Sequence, residues 1–378
     1  MRRFPSRPLP DLNCLRRALF TDIKVDSELL FFGLGRDALV FGLKALKIEP
    51  SASILIPAYM CDSTIKPLRS LGYNIIFFDV KEDLNFDVNM IERLIRSSNI
   101  KAILAVHYFG FPCQTDALFE LCKRYNVRVV EDCSHSYLSQ IDGRSVGCFG
   151  DMAIYSMRKT LATPDGGALK LNIGMPTYPK SIEKKMPWFK EILYFGSRAL
   201  ESIICFIGFP NLYSTKIEKL KKLIRDIPFN RRHDNDGLAI QCAPIKISYQ
   251  LRAYLHDTLY KTHIIKRRQH NYNLLAVATE KLGLKSLFLQ LPDGCVPQYF
   301  VLKDPRKQLA SWFREHGIGA VSWPGSELPQ EIANRQVDFP VTNYLNEHLV
   351  MLPIHQSLKD KDIGSIINLL KTGSELND

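Results

Sequence analysis

The first half of the chain alternates short apolar runs with amphipathic segments, and this alternation most constrains the fold. The runs are rich in Ile, Val and Phe and predict four buried strands, at residues 52–59, 74–80, 101–110 and 126–133. Apolar residues spaced by three and four predict intervening helices, for example at 36–46 and 115–126. Such an order predicts βαβ units and a mainly parallel sheet. Ligands of these sheets bind beyond the carboxyl ends of the strands, so the residues that end each strand are the functional candidates.

The pattern changes further along the chain, and it predicts three parts. These are an N-terminal arm (1–28), a large α/β domain (29–248) with a basic and aromatic insertion at about 174–235, and a smaller C-terminal α/β domain with its linking helix (249–378). The remaining predicted elements are strands at 152–157 and 167–172, one long helix at 249–283, and helices at 307–317 and 359–371.

Composition excludes several classes of protein. Apolar residues make up 46% of the 378 residues and charged residues 24%, which is typical of a globular protein. Nine Cys without a CxxC pair predict neither a disulfide framework nor a zinc site, and they fit reduced thiols in the cytoplasm. The most apolar stretch, 191–209, is interrupted by Arg198 and Glu201, so no membrane span is expected. The start of the chain lacks the apolar region of a signal peptide.

The net charge of +11 is concentrated in one third of the chain. Residues 171–270 contain 18 Lys and Arg against 8 Asp and Glu. This excess fits a solvated helical face, attraction of a substrate that carries a diphosphate, or contact of 186–230 with an anionic membrane surface. Nucleic acid is not expected as a partner, because no groove-reading or base-stacking motif accompanies the charge.

Several chemically useful side chains follow the predicted strands. Asp132 ends one strand, Tyr59 ends another, and Lys159 follows a third in the stretch YSMRKTLATPDGG. Each has an ordinary explanation when taken alone, such as a helix cap, a core aromatic or a solvated lysine. Together with the glycines before the helix at Arg36, they supply what an aldehyde cofactor with a pyridine ring and a phosphate requires: an amine, an acid, an aromatic face and helix-start amides. The neighbouring cation Arg158 would lower the pKa of Lys159 and so favour its neutral amine.

The order of these motifs resembles a known family. The segments GLGRDAL, IPAYMC, VHYFGFPCQTDALFELCKRYNVRVVEDCSHS and VGCFGDMAIYSMRKTLATPDGGAL are similar to the DegT-type sugar aminotransferases. The resemblance covers about residues 29–171. It implies fold type I of the enzymes that depend on pyridoxal 5'-phosphate (PLP), with a large domain and a smaller C-terminal one.

The resemblance also implies a role for individual residues. Lys159 matches the lysine that binds the cofactor aldehyde, Asp132 matches the partner of the pyridine nitrogen, and Tyr59 matches the stacking aromatic. The remaining matches are His135 beside the ring, with Gly35, Arg36, Asp37 and Ser156 at the phosphate. Substrate contacts are assigned to Arg158, His107 and His355.

The chain departs from the family pattern at three places. Ser156 lies three residues before the lysine, where the family has five, and Arg36 replaces a threonine of the phosphate loop. An Asn-x-Arg segment that completes the partner subunit's site is not recognisable, and Asn230 or Asn235 are its only candidate replacements.

The resulting prediction is a PLP-dependent aminotransferase that moves an amino group from L-glutamate to a nucleotide-linked keto-sugar, for surface polysaccharide or amino-sugar synthesis. The resemblance implies a homodimer, and no metal is expected. Two alternatives stay open. One is a cofactor-binding pseudoenzyme with a regulatory role, and the other is a membrane-surface aminotransferase that acts on a lipid-linked or non-sugar keto substrate.

Overall fold

The computed structural model of the protein describes residues 4–21, 23, 25, 28–113, 116–174, 184–185, 188–207 and 244–374. Most of the predicted basic insertion, including Asn230 and Asn235, lies outside the described residues.

The described strands form one seven-stranded sheet and three two-stranded sheets. In chain order they are β1 (Leu29–Phe32), β2 (Ser53–Pro57), β3 (Asn74–Phe78), β4 (Ile100–Val106), β5 (Arg128–Asp132), β6 (Gln140–Ile141), β7 (Arg144–Ser145), β8 (Met152–Ser156), β9 (Gly167–Leu171), β10 (Lys184–Lys185), β11 (Ile245–Lys246), β12 (Tyr299–Lys303) and β13 (Leu349–Pro353). The large sheet has the order β1-β9-β8-β5-β4-β2-β3, and its neighbours are parallel from β8 to β3. β9 is antiparallel to both β8 and β1.

The described helices pack on both faces of the large sheet and around the C-terminal part. They are α1 (Leu12–Ala18), α2 (Gly35–Ala45), α3 (Asp62–Ser70), α4 (Val88–Ser97), α5 (Asp116–Arg124), α6 (Trp188–Ile207), α7 (Tyr249–His256), α8 (Thr258–Lys281), α9 (Leu309–Glu315), α10 (Gln330–Ala333), α11 (Pro340–His348) and α12 (Asp360–Ser374). The four strands and two helices predicted in the first half are present, with ends that differ by at most four residues.

The prediction of one long helix at 249–283 is wrong. Asp257 has an extended backbone (φ −81°, ψ 99°) that ends α7 and begins α8. Its carboxylate accepts a hydrogen bond from the Tyr260 amide at 2.8 Å, which is the usual contact of an N-terminal cap. The apolar spacing continues across the break, and Asp before Thr258 was the sequence signal for it.

Alternating side chains of the strands build a core on each face of the sheet. On β2, Ile54 and Ile56 join one core with residues of α2 and α3, whereas Leu55 joins the other with residues of α4 and α5. A third core lies between the β12–β13 sheet and helices α8, α9 and α12. The C-terminal part therefore has a core of its own. Val301 of β12 and Met351 of β13 also join the core of the large sheet, so the two parts pack against each other. The predicted domain boundaries at 29 and 249 stay predictions.

The N-terminal arm lies along the C-terminal part of the chain. Phe4 donates to Gly317 O at 2.9 Å and accepts from the Gly319 amide at 2.7 Å. The Leu9 amide donates to Ser357 Oγ at 3.0 Å, and the Arg17 guanidinium pairs with Asp257 at 2.6 Å. These contacts hold the N-terminal arm against the C-terminal part of the chain.

Candidate active site

Lys159 lies on a tight turn at the carboxyl end of β8. The turn covers Met157–Lys159, and the amides of Thr160 and Leu161 both donate to Met157 O, at 2.9 and 2.7 Å. Lys159 is partly buried. Burial lowers the pKa of its amine, and the positive charges of Arg158 and Arg7 act in the same direction, whereas Cys61 and Asp132 oppose them. A larger fraction of the amine is therefore neutral and nucleophilic than on a solvated lysine.

The paired glycines explain how the chain returns beside this turn. Gly166 has φ +127°, which L side chains rarely adopt, and its carbonyl accepts from the Met157 amide at 2.7 Å. A Cβ on Gly167 would lie 2.2 Å from Leu34 C and O. The second glycine thus lets the peptide before α2 pack directly against β9.

Asp165, just before the glycines, ties the turn to α7. Its carboxylate is fully buried and accepts from the Ser248 amide at 2.7 Å and from Ser248 Oγ at 2.6 Å. Ser248 Oγ in turn accepts from the Leu251 amide and caps the helix. Burial raises the pKa of Asp165, against the lowering effect of these hydrogen bonds.

Asp132 ends β5, the strand that pairs with β8 in the sheet. The register places Asp132 opposite Ile154, so its carboxylate and Lys159 lie at the same edge. Asp132 is buried, and its Oδ1 accepts from the Ser134 amide at 2.9 Å. The structure therefore brings together the two residues to which the sequence assigned the chemistry.

His135 lies in an aromatic cluster beside Asp132. Its ring is nearly parallel to that of Phe109, with 5.4 Å between centroids. The Trp323 ring is steeply inclined to it, at 77°, with 4.8 Å between centroids. Burial lowers the pKa of His135 well below its usual value, and the charge of Lys159 adds to this effect. Nδ1 of this neutral ring is buried and has no hydrogen-bond partner in the described structure.

Tyr59 belongs to the same cluster. It is fully buried, with its ring 5.6 Å from Tyr108 and 5.3 Å from Trp323. Its hydroxyl donates to Trp323 O, and burial raises the pKa of that hydroxyl. Trp323 brings the C-terminal part of the chain to the cluster.

The predicted phosphate residues meet at the start of α2. A Cβ on Gly35 would lie 3.6 Å from both Ser134 Oγ and Ser156 Cβ, and 3.2 Å from Tyr155 O. Leu34 precedes the helix and provides no side-chain cap. The Asp37 amide donates to Leu34 O at 3.1 Å. Gly35 is the residue of the helix start that lies beside Ser134 and Ser156. Ser156 thus lies beside the helix start despite its shortened spacing from Lys159.

The assignment of His107 to a substrate contact needs correction. The ring is fully buried, Nδ1 accepts from the Cys113 amide at 3.1 Å, and Nε2 lies 3.1 Å from Glu131 Oε2. Both ring nitrogens are therefore used inside the protein. One potential metal-ligating atom from each of His107, Glu131 and Cys133 lies within 4.8 Å of the others. The ring nitrogens of His107 and the carboxylate of Glu131 already bind protein groups.

Glu131 is a residue that the sequence analysis missed. Besides His107, it accepts from the amides of Gly147, Phe149 and Gly150, at 2.9, 2.7 and 2.6 Å. Burial raises the pKa of Glu131, but the bonds from His107 and the amides outweigh it and hold the pKa below its usual value. The only sequence signal was its position directly before Asp132.

His355 also has a contact within the protein. It is buried, and its Nε2 donates to Pro5 O at 2.9 Å, which fixes the N-terminal arm. Burial lowers the pKa of His355 to about 3. Arg158 remains close enough to Lys159 to lower its pKa, as the sequence predicted.

The residues at this edge fit PLP. The unpartnered Nδ1 of His135, the carboxylate of Asp132 and the amine of Lys159 provide the polar groups for the ring. The uncapped start of α2 between two serines is a suitable anion site, because helix amides and hydroxyls donate to phosphate oxygens.

Comparison with known proteins supports the predicted family. Residues 30–174 match the model of the DegT/DnrJ/EryC1/StrS aminotransferase family. Over these residues the chain is similar to that family. The matched region contains the lysine turn, Asp132 and the start of α2, so the predicted family and enzyme class are confirmed.

Two curated relatives match most of the chain. GDP-perosamine synthase of Vibrio cholerae is 24% identical over 330 residues, covering 82% of this chain and 85% of its own. A UDP-N-acetyl-3-dehydro-alpha-D-glucosamine 3-aminotransferase of Acidithiobacillus ferrooxidans is 29% identical over 359 residues, covering 89% and 82%.

Solved structures confirm the predicted fold. DesI, solved with its TDP-sugar product, is 18% identical with a TM-score of 0.68 and covers 100% of this chain and 95% of its own. The PLP-form of Spr1654 from Streptococcus pneumoniae is 15% identical with a TM-score of 0.67 and covers 99% of both chains. Within the described residues, no helix has the length and apolar character to span a bilayer.

Proposed function

We propose that the protein is a PLP-dependent aminotransferase that transfers the amino group of L-glutamate to the keto group of a nucleotide-linked sugar. The observation that carries the proposal is the partly buried Lys159, whose pKa is lowered, at the sheet edge that it shares with Asp132. The names of the relatives, which act on GDP- and UDP-linked sugars, support the class of acceptor.

Bound PLP supplies the aldehyde that accepts an amino group and the electron sink that stabilises a carbanion. Lys159 would hold the aldehyde carbon, Asp132 the ring nitrogen and His135 the ring edge. Gly35, Ser134 and Ser156 would hold the phosphate at the start of α2.

Lys159 performs the proton transfer in this proposal. Its Nζ takes a proton from the α-carbon of the donor and later delivers one to the carbon that receives the nitrogen. A neutral amine is required for the first step, and the burial that lowers the pKa of Lys159 provides it. Asp132 keeps a negative charge at the pyridine nitrogen and so holds a proton there.

The buried aromatic cluster excludes water from one side of the site. Phe109 and Trp323 pack against His135, and Tyr59 packs against Trp323. Burial keeps the His135 ring neutral. A neutral His135 would donate or accept one hydrogen bond at the cofactor ring without adding a positive charge beside the Lys159 amine.

The test is a half-reaction with each substrate. L-Glutamate should convert the PLP-loaded protein to its aminated form, with loss of visible absorbance and release of 2-oxoglutarate. A panel of GDP-, UDP- and TDP-linked keto-sugars should then restore the absorbance. A protein that binds PLP but reacts with no amino donor would refute the proposal and favour a regulatory pseudoenzyme.

Two variants separate the roles of the residues. Asp132→Asn should keep PLP bound but reduce the rate of the glutamate half-reaction by about 100-fold or more, as expected for the loss of a catalytic charge. Asp151→Asn is a matched control, because Asp151 binds Arg128 and the Val129 amide at the opposite end of β5.

A further inference from the structure

The carbonyl of Thr160 is the point at which the C-terminal part of the chain contacts the lysine turn. Gln356 Nε2 donates to Thr160 O at 3.0 Å, and Arg268 Nη2 donates to the same oxygen at 3.5 Å. Thr160 directly follows Lys159, and Gln356 and Arg268 are buried.

Arg268 determines which way the Gln356 amide faces. Its Nε donates to Gln356 Oε1 at 3.1 Å. A guanidinium has only donors, so the Gln356 oxygen must face Arg268. The NH₂ group of Gln356 is thereby directed to Thr160 O, and the Tyr260 hydroxyl lies 3.3 Å from the same nitrogen.

Arg268 is itself held by backbone carbonyls. Its Nη1 donates to Pro297 O and Gln298 O, both at 3.2 Å, and the side chain is 1% exposed. Burial lowers the pKa of Arg268 to about 10. Among the residues that the structure describes, no carboxylate pairs with it. Burying an arginine is costly, so its hydrogen bonds to the segment at 297–298 and to the lysine turn account for its position.

We propose that Gln356 and Arg268 are positioning residues for Lys159, which act by holding the Thr160 carbonyl. They connect the turn that carries the amine to helix α8 and to the segment after β13. The inference rests on the proposed role of Lys159, but its test measures the amine in the protein without cofactor.

Loss of the Gln356 bond has a definite consequence for the amine. Within the chain around it, the turn is held by its bonds to Met157 O and by the bond from the Met157 amide to Gly166 O. The contact at Thr160 O adds a bond from the C-terminal part. A looser turn admits water to Lys159, and the pKa of the amine then rises towards its usual value because burial is the main cause of its lowering.

The experiment compares Gln356→Met with wild type in the full-length protein without PLP. Methionine has a similar volume and no charge, so it removes the donor without adding an electrostatic effect. The rate of acetic anhydride labelling of Lys159 is followed against pH by peptide mass spectrometry. Hydrogen exchange of the Thr160 and Leu161 amides is measured alongside. We expect the labelling midpoint to rise by about half a pH unit or more, with faster exchange at both amides.

Gln269→Met is the matched control. Gln269 follows Arg268 on the same helix, but its side chain donates to Cys295 O at 3.0 Å and not to the lysine turn. Its labelling midpoint and exchange should equal those of wild type. The proposal is overturned if folded Gln356→Met behaves like wild type, or if Gln269→Met shifts by the same amount.

Arg268→Lys tests the proposal if Gln356→Met does not fold. Lysine keeps the charge, but its donors lie on one nitrogen and cannot reach the four oxygens that Arg268 binds through Nε, Nη1 and Nη2. The Gln356 amide is then free to rotate. The labelling midpoint should again rise, and an unchanged midpoint refutes the proposal. Failure of the aminotransferase assay alone leaves these readouts intact, so the two proposals fail separately.

Discussion

Glu131→Gln tests how the protein holds the strand end that carries Asp132. Glu131 Oε2 binds His107 Nε2 and the Gly147 amide, and Oε1 binds the amides of Phe149 and Gly150. In glutamine one oxygen becomes an NH₂ donor. Whichever way the amide is placed, two of the protein donors then face another donor.

His107 cannot relieve this conflict by changing its tautomer. Its Nδ1 accepts from the Cys113 amide, so the ring proton must stay on Nε2 towards residue 131. Each buried donor left unpaired costs about 1–3 kcal/mol. The variant should therefore lose about 2–6 kcal/mol of the free energy of unfolding, a large fraction of what a domain has.

Urea unfolding monitored by circular dichroism measures this loss. Glu92→Gln is the control, since Glu92 also accepts several hydrogen bonds, from Arg96 and Tyr125, but lies at the surface. Its loss should be smaller than that of Glu131→Gln. If the two variants unfold at the same urea concentration, the reasoning about buried donors at Glu131 is refuted.

Three further predictions concern stability. The pKa of His355 falls from 6.5 to about 3 on folding. The free energy of unfolding should therefore fall as the pH drops below 6.5, by up to about 1.4 kcal/mol per pH unit from this residue. His355→Gln should reduce that pH dependence in urea titrations at pH 7, 6 and 5, and an unchanged pH dependence would contradict the burial argument. Gly167→Ala should destabilise by about 3 kcal/mol or more, because its Cβ would overlap Leu34. Gly364→Ala, inside α12 with open space around it, should stabilise the protein by about 0.5–1 kcal/mol. Equal melting temperatures of the Gly167→Ala and Gly364→Ala variants would refute the argument that Gly167 is packed too closely for a Cβ. Asp257→Ala should cost about 1 kcal/mol through the cap of α8, and an unaltered melting temperature would show that the cap contributes nothing.

The sequence predicted the large sheet because its strands are long apolar runs between clear helical patterns. It missed β1 (Leu29–Phe32), a four-residue run whose partner, β9, is distant in the chain. The long helix was wrong because apolar spacing continues through Asp257, where only the cap chemistry marks the break.

Lys159 and Asp132 were predictable because strand ends meet at one edge of a parallel sheet. Arg268 and Gln356 were not, since Arg268 lies in a run of basic residues, KRRQH, that is typical of an exposed face. Only the packing of α8 against the segment after β13 buries it. His107 also follows a strand, but its ring is buried and faces Glu131, which the sequence did not indicate.

The most direct test of the central claim is to trap PLP on the protein with borohydride and locate the modified lysine by peptide mass spectrometry. We expect the PLP-loaded protein to be yellow before reduction and the reduced cofactor to be found on Lys159. We expect no trapping in Lys159→Ala. Modification of another lysine, or trapping that persists in Lys159→Ala, would contradict it.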